Sequence, residues 1–237
     1  MRNYIPQMLV EEIGTEGQKA IRSAKVLIVG VGGLGVPLAT YLAGAGVGCL
    51  GLVDGDTVAE SNLHRQFLYR KADVADSKVA VLAWRLAEIN EEVLVNTYPI
   101  HFNEQNAETI IADYDFICDC TDNVNARILI AQESAKQQKP LVYAAVLAWQ
   151  GYLTILNYRQ KIILEDIFSA EQFKAHAQQS CSNYGIVGSV CGALASMQAT
   201  EVLKIILGLP SKLDGQLLCI DTKEDVFRYF KLKSSIK

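Results

Sequence analysis

The sequence has few cysteines, no excess of basic charge and no apolar leader, and each absence excludes a class of protein. Its six cysteines are too scattered along 237 residues for a disulfide scaffold, and none belongs to a Cys-x-x-Cys pair, the commonest structural zinc signature. The net charge of −4 argues against a nucleic-acid binder and against an anionic-membrane binder. Because the first residues lack a basic region followed by an apolar stretch, we expect a cytoplasmic protein.

Charged residues are also absent from one internal stretch, 26–53, which a hydropathy window would take for a membrane span. Its eight glycines argue against a single long helix, since each one weakens a helix by roughly 1 kcal/mol. Short apolar runs bounded by glycine are instead typical of buried parallel strands. This part of the sequence therefore predicts a strand over 25–30, a glycine turn, a helix over 34–45 and a second strand over 49–54.

Strands and helices continue to alternate after this unit. Apolar residues recur with a helical period over 76–90, where Asp76 is the expected N-cap. The later predicted elements are strands at 93–98, 115–119, 140–145, 150–158, 216–221 and 226–230, and helices at 103–112, 126–137 and 188–207. This order predicts an α/β fold in one continuous domain: a Rossmann-like, doubly wound, mostly parallel sheet over 1–145, continued by antiparallel strands in the C-terminal part.

The turn Gly30-Val31-Gly32-Gly33-Leu34-Gly35 fits the pattern G-x-G-x-x-G and lies between a predicted strand and a predicted helix. Glycines allow the backbone to approach a phosphate closely, and the helix N-terminus offers free N–H groups and partial positive charge. Asp54 closes the next strand, where a carboxylate could bind ribose hydroxyls. On these residues alone, an NAD-dependent oxidoreductase would be favoured.

The polar segment after Asp54 favours a nucleoside triphosphate instead. Asn62, Arg65 and Gln66 could lie beside the phosphates, and Lys78 opens the following helix with another positive charge. At the end of the fourth strand, Asp122 could hold Mg²⁺ against the triphosphate. The alternatives are that Arg65 and Lys78 are solvated surface charges and that Asp122 caps the helix at 126–137.

Together these motifs resemble the ThiF/MoeB/HesA family, the bacterial relatives of ubiquitin-activating enzymes. The motifs are G-x-G-G-x-G, D-x-D from Asp54 to Asp56, N-x-x-R-Q, the lysine and C-T-D-N, and the resemblance runs from about 4 to 230. It implies ATP- and Mg²⁺-dependent adenylation of the C-terminal glycine of a ubiquitin-like sulfur carrier ending in Gly-Gly, with release of pyrophosphate, in thiamine or related biosynthesis. It also implies a homodimer and a sulfurtransferase as a further partner.

The resemblance implies a division of the chain as well as roles for single residues. A single adenylating domain would span 1–237, with a nucleotide-binding half at 1–145 and a half for carrier binding and dimerisation at 146–237. Arg65, Lys78, Asp122 and Cys181 would be catalytic, with Asp122 holding magnesium and Cys181 carrying a thioester or persulfide link. The nucleotide would be bound by Gly30, Gly32, Gly33, Gly35, Asp54, Asp56, Asn62, Arg65, Gln66, Lys78 and Asp122.

The sequence departs from the family pattern in two places. Many members bind zinc through two Cys-x-x-Cys pairs, one near 163–166 and one near the C-terminus, and neither pair is present here, so we predict no zinc. The family's N-terminal pattern R-Y-x-R-Q has Pro6 in place of its second arginine. Arg2 or a partner chain would then supply that charge, or adenylation would be weak. These departures leave two further hypotheses: adenylation of a small carboxylate or peptide, and a non-catalytic subunit that only docks carriers.

Overall fold

A computed structural model describes residues 4–168 and 185–235. The helices of this part of the chain are α1 (Ile5–Met8), α2 (Gly14–Ser23), α3 (Gly35–Ala45), α4 (Lys78–Ile89), α5 (Ala107–Ala112), α6 (Val124–Lys136) and α7 (Gly188–Ile206). Its strands are β1 (Lys25–Val29), β2 (Cys49–Val53), β3 (Leu94–Tyr98), β4 (Phe116–Asp119), β5 (Leu141–Leu147), β6 (Gln150–Leu156), β7 (Gln216–Asp221) and β8 (Val226–Lys231). None of these helices is long and apolar enough to cross a membrane.

The strands form one sheet in the order β3-β2-β1-β4-β5-β6-β7-β8. Strands β1 to β5 run parallel, and β6, β7 and β8 follow β5 in the sheet, each antiparallel to its neighbour. The chain moves outward from β1 to β3 and then returns to the other side of β1 at β4. This arrangement confirms the predicted fold class, and it places a topological switch point between β1 and β4.

Alternate residues of the parallel strands face two different helical layers. Val26 and Ile28 pack with apolar residues of α3, α4 and α7, whereas Leu27 and Val29 pack with apolar residues of α5 and α6. The central strands are therefore buried on both faces, which explains why the stretch 26–53 carries no charge. The same sheet continues through both halves of the chain.

Two local predictions are wrong. Ser77, not Asp76, occupies the N-cap position of α4, and no side chain caps that helix end. The backbone around Asp76 is instead tied to Val58, whose N–H donates to the Asp76 carbonyl at 2.9 Å. The helix expected over 103–112 begins only at Ala107, because the preceding residues form a polar turn in which Asn103 N–H donates to the Asn106 side chain at 3.0 Å.

The family's zinc-binding pairs would fall near 163–166 and near the C-terminus. These two segments lie next to each other, at the edge of the sheet where the parallel strands begin. One carboxylate oxygen of Asp166 accepts a hydrogen bond from Ile163 N–H and the other accepts one from Ser235 N–H, each at 2.9 Å. The hydroxyl of Ser234 also donates to the carbonyl of Lys161 at 2.9 Å. Hydrogen bonds thus join these segments in this chain.

Candidate nucleotide site

Three neighbouring strands end side by side at the carboxyl edge of the sheet. β1 leads into Gly30, β2 into Asp54 and β4 into Cys120. The N–H of Gly30 donates to the carbonyl of Val53, and the N–H of Cys120 donates to the carbonyl of Val29. The switch point of the sheet therefore brings together the three segments in which the sequence places site residues.

Glycine is required in the turn because its backbone is packed against other backbone. Gly30 has φ +88°, and a Cβ there would lie 2.8 Å from the carbonyl oxygen of Cys120. A Cβ at Gly35 would lie 2.0 Å from the carbonyl oxygen of Gly30. The N–H groups of Gly32, Gly33 and Leu34 donate to no other group in residues 4–168 and 185–235. They are free donors at the N-terminus of α3, where a phosphate can bind.

Asp54 connects the turn to the segment that follows β2. One of its carboxylate oxygens accepts a hydrogen bond from Val31 N–H, and the other accepts one from Asp56 N–H, both at 2.9 Å. The side chain is half-buried, and each oxygen keeps a lone pair for a further donor such as a ribose hydroxyl.

Asp56 and Lys78 form an ion pair close to Asp54. The ammonium nitrogen of Lys78 lies 2.8 Å from a carboxylate oxygen of Asp56, and the backbone N–H of Lys78 donates to the carbonyl of Asp56 at 3.1 Å. Both contacts join the start of α4 to the residues after β2, so Lys78 lies next to the segment that follows Asp54. It is not a solvated surface charge, since its side chain is only 8% exposed.

The segment 60–66 covers the glycine turn. Arg65 N–H and Gln66 N–H both donate to the carbonyl of Asn62 at 3.1 Å, so the three predicted residues share one tight turn. A Cβ at Gly32 would lie 3.4 Å from the amide nitrogen of Gln66, and a Cβ at Gly33 would lie 3.3 Å from Cδ of Arg65. The two side chains therefore pack directly on the turn.

Gln66 carries an unsatisfied polar group inside the site. The residue is 3% exposed, and its amide oxygen is buried without a hydrogen-bond partner in the described structure. Such a group carries a free-energy cost that a bound ligand or water removes. Arg65 is also without a carboxylate partner among these residues: its guanidinium donates to the Ser61 carbonyl at 3.2 Å and lies 2.7 Å from the His64 ring.

Asp122 is exposed and does not cap α6. The cap is Asn123, whose side-chain oxygen accepts from Ala126 N–H at 3.1 Å, so the alternative of an Asp122 cap is wrong. The carboxylate of Asp122 has no hydrogen bond or ion pair within the described chain. A single free carboxylate fits Mg²⁺, which takes most of its ligands from water and phosphate. No group of three or more His, Cys, Asp or Glu in 4–168 and 185–235 could hold a metal by itself.

A buried charge pair below this loop was not predicted from the sequence. Asp119, at the end of β4, lies 3.2 Å from the Arg127 guanidinium and accepts hydrogen bonds from the N–H and hydroxyl of Thr121 at 2.9 and 2.7 Å. Arg127 also donates to the carbonyls of Thr121 and Ala144. Burial raises the pKa of Asp119, and Arg127 and Thr121 partly oppose that shift. The pair fixes the backbone that leads to Asp122.

Cys181 and Arg2 lie outside the described residues, so their predicted roles stay predictions. Cys118 and Cys120 are buried in and after β4, and burial raises the pKa of both thiols. Pro6 is exposed in the first turn of α1.

A glycine turn with free N–H groups, and carboxylates and cations on adjoining strand ends, are typical of nucleotide-binding α/β proteins with a doubly wound sheet. A family model described as the ThiF family matches residues 4–236, and the chain belongs to this family. It is 37% identical over 231 residues to a probable molybdopterin-synthase adenylyltransferase of Gracilaria tenuistipitata var. liui, covering 98% of this chain and 64% of that protein. It is 40% identical over 230 residues to the adenylyltransferase and sulfurtransferase MOCS3 of Xenopus laevis, covering 97% of this chain and 51% of that protein.

Solved structures share the fold. A crystal structure of E. coli MccB with MccA-N7isoASN has a TM-score of 0.81 at 21% identity, over 92% of this chain and 67% of that chain. A crystal structure of PaaA has a TM-score of 0.81 at 24% identity, over 98% and 73% of the two chains. These identities show a common architecture, whereas the family rests on the closer sequence matches.

Proposed function

We propose that the protein adenylates the C-terminal glycine carboxylate of a ubiquitin-like carrier with ATP and releases pyrophosphate. One observation carries the proposal: Arg65 and the side-chain amide nitrogen of Gln66 pack on the glycine turn. Three N–H groups of that turn have no partner in the described chain, those of Gly32, Gly33 and Leu34. A triphosphate supplies the many acceptor oxygens that these donors lack. This polar set also favours a triphosphate over a dinucleotide.

The chemistry needs positioning and charge neutralisation more than proton transfer. A carboxylate oxygen of the carrier attacks the α-phosphorus, and a bond forms between these two atoms. The bond from the α-phosphorus to the oxygen bridging to the β-phosphate breaks, and pyrophosphate leaves. No general base is needed because a carboxylate is ionised at neutral pH. The N–H groups of the turn, Arg65 and Lys78 would stabilise the negative charge on the phosphates in the transition state.

Asp54, Asp56 and Asp122 have separate proposed tasks around the nucleotide. The half-buried carboxylate of Asp54 would accept hydrogen bonds from the ribose hydroxyls. Asp56 holds Lys78 until phosphate oxygens share its ammonium group. Asp122 would bind Mg²⁺, which supplies further charge neutralisation at the phosphates when bound.

The names of the relatives bear on the choice of carrier. One is named a molybdopterin-synthase adenylyltransferase, and none of the relatives reported above carries a thiamine name. We therefore expect a carrier of the molybdopterin-synthase type to be a better substrate than one from thiamine biosynthesis. Binding of the carrier and dimerisation by 146–237, a covalent link at Cys181, a sulfurtransferase partner and a cytoplasmic location belong to the same proposal.

Carrier-dependent ATP–pyrophosphate exchange tests the proposal. Exchange is expected with a carrier ending in Gly-Gly and not with the same carrier lacking its last glycine. Arg65→Ala should abolish exchange, whereas the matched change Arg159→Ala should not, because Arg159 is exposed and its contacts are with Gly208 and Tyr158, away from the glycine turn. Exchange with small carboxylic acids or peptides instead of carriers would support the alternative substrate class, and exchange with neither would contradict adenylation.

A competing cofactor is tested by thermal shift. Stabilisation of the folded chain by ATP with Mg²⁺, and not by NAD, is the expected result. Preferential stabilisation by NAD would favour an oxidoreductase and contradict the proposal.

A further inference from the structure

Tyr69 lies behind the glycine turn, in the segment that joins β2 to α4. It is 4% exposed, and its ring packs in the core formed with α3 and α4. Its hydroxyl oxygen is 2.9 Å from the carbonyl oxygen of Val31 and 3.3 Å from the carbonyl oxygen of Lys78. Since a hydroxyl has one proton, the shorter contact is the main hydrogen bond. Tyr69 thus contacts the turn and the first residue of α4 at once.

The hydrogen bond to Val31 fixes the direction of the next N–H group. The carbonyl of Val31 and the N–H of Gly32 belong to one planar trans peptide unit, in which they point in opposite directions. Because the carbonyl points toward the buried Tyr69 hydroxyl, the Gly32 N–H points away from the core. The N–H of Val31 is held by Asp54 at 2.9 Å, so both polar groups of Val31 are fixed.

We propose that Tyr69 is a positioning residue for the nucleotide: its hydroxyl turns the Gly32 N–H toward a phosphate of ATP and holds the start of α4, with Lys78, beside the turn. This inference rests on the proposed function, because it presumes that a nucleotide occupies the turn. Tyr69 does not touch the nucleotide itself.

A second group of contacts holds the backbone on both sides of Tyr69. The buried guanidinium of Arg85, on α4, donates to the carbonyl of Leu68 at 3.3 Å and to both carboxylate oxygens of Asp73 at 3.3 and 3.4 Å. Asp73 in turn accepts from Arg70 N–H at 2.8 Å. These contacts, which we call the Arg85 bracket (Leu68, Arg70, Asp73 and Arg85), restrain the residues that flank Tyr69.

The surroundings of the Tyr69 hydroxyl favour its protonated form. Burial raises the pKa of Tyr69, and the nearby negative charge of Asp54 raises it further. The hydroxyl therefore remains a donor to the Val31 carbonyl at neutral pH.

The variant Tyr69→Phe removes the hydroxyl and keeps the ring. We expect the dissociation constant for ATP with Mg²⁺, measured by calorimetry on the full chain, to rise about tenfold, because one buried carbonyl loses its donor and the Gly32 N–H loses its fixed direction. In the exchange assay the KM for ATP should rise while the KM for the carrier stays the same.

The matched control is Tyr114→Phe. Tyr114 is also buried, and its hydroxyl lies 3.2 Å from the Asn96 amide and 3.1 Å from the Tyr98 hydroxyl, but it packs on the opposite face of the sheet with α5 and α6. This variant should lower the free energy of unfolding about as much as Tyr69→Phe and leave ATP binding unchanged. Equal weakening of ATP binding in both variants would overturn the proposal, since the effect would then be general destabilisation.

ATP affinity separates this inference from the proposed function. If the wild-type chain binds ATP but shows no carrier-dependent exchange, the proposed function fails, and the comparison of Tyr69→Phe with Tyr114→Phe still decides the role of Tyr69. Unchanged ATP affinity in Tyr69→Phe overturns that role, and absence of ATP binding in the wild type overturns both.

Should Tyr69→Phe not fold, Arg85→Lys is the second variant. It loosens the Arg85 bracket, because an ammonium group lacks the guanidinium fork. A smaller rise of the ATP dissociation constant is then expected, and no rise overturns the proposal.

Discussion

The ammonium nitrogen of Lys78 lies 2.8 Å from a carboxylate oxygen of Asp56, and the lysine side chain is 8% exposed while the aspartate side chain is 58% exposed. The aspartate thus faces solvent on one side and holds a nearly buried cation on the other. An incoming phosphate can approach this pair from the solvent side. In the proposed function, the pair holds the positive charge of Lys78 in place before a nucleotide binds.

The variant Lys78→Ala is therefore expected to lower kcat/KM for ATP in the exchange assay by about 100-fold, the usual loss for one group that stabilises transition-state charge. The control is Lys136→Ala, which removes an exposed lysine whose ion pairs are with Glu108 and Glu133 on the other face of the sheet. Wild-type kinetics in Lys78→Ala would show that this lysine has no role at the phosphates.

Substitutions at two glycines of α3 distinguish the effect of a steric clash in the turn from the effect of helix propensity on stability. Gly35→Ala should lower the free energy of unfolding by about 2–3 kcal/mol, because a Cβ there would lie 2.0 Å from the Gly30 carbonyl oxygen. Gly44→Ala should raise it by roughly 0.5 kcal/mol, since nothing lies within 4 Å of its Cβ position and alanine favours helix. Urea unfolding measures both, and equal effects would contradict the described turn.

The buried pair of Asp119 and Arg127 gives a pH-dependent prediction. Arg127→Met should cost about 3–5 kcal/mol at neutral pH, because Asp119 would be left buried without its counter-charge. Burial raises the folded-state pKa of Asp119, and loss of Arg127 would raise it further. The native state then binds more protons than the unfolded state, so the stability of this variant should fall as pH rises above about 3.9, the unfolded value.

The double variant Asp119→Asn with Arg127→Met checks this interpretation. It should be more stable at neutral pH than Arg127→Met alone. Its free energy of unfolding should also lack the fall with rising pH that Arg127→Met shows, because no buried carboxylate remains. A double variant that is no more stable, with the same pH dependence, would show that the charge of Asp119 is not the source of the loss.

The hydrogen bonds of Asp166 predict that the two segments it joins are stable without a bound zinc ion. Asp166→Ala should lower the free energy of unfolding by about 1–2 kcal/mol, because Ile163 N–H and Ser235 N–H lose their acceptor. Asp113→Ala, at an exposed carboxylate without such contacts, should change it by less than about 0.5 kcal/mol. A chelator should leave the Tm of the wild type unchanged, and a lower Tm would contradict the prediction of no zinc.

The position of most candidate site residues in the fold could be predicted, because they follow the ends of strands in the sequence. The glycine turn, Asp54 and the loop of Asp122 each come directly after a buried apolar run, and the carboxyl ends of parallel strands meet at one edge. The assignment of the α6 cap to Asn123 and not to Asp122 required the structure, since both are adjacent polar residues ahead of the helix.

The residues that hold the backbone around the candidate site could not be predicted in the same way. Tyr69 has the sequence appearance of a core aromatic, and only the tertiary contact with Val31 gives its hydroxyl a task. Arg85 and Arg127 occur inside helices, where an arginine is usually a surface residue, and their carboxylate partners lie outside those helices, Asp73 ahead of α4 and Asp119 at the end of β4. Such contacts depend on how elements pack, which local patterns do not encode.

Transfer of label from ATP to the carrier is the sharpest test of adenylation. The full chain is incubated with a Gly-Gly carrier and ATP labelled at the α-phosphate in one reaction and at the γ-phosphate in another. We predict that the carrier acquires the α label, that the γ label appears in pyrophosphate, and that a carrier lacking its last glycine acquires none. Folded protein that binds ATP and leaves both labels in the nucleotide, with carriers of the molybdopterin-synthase and thiamine types alike, would contradict this prediction.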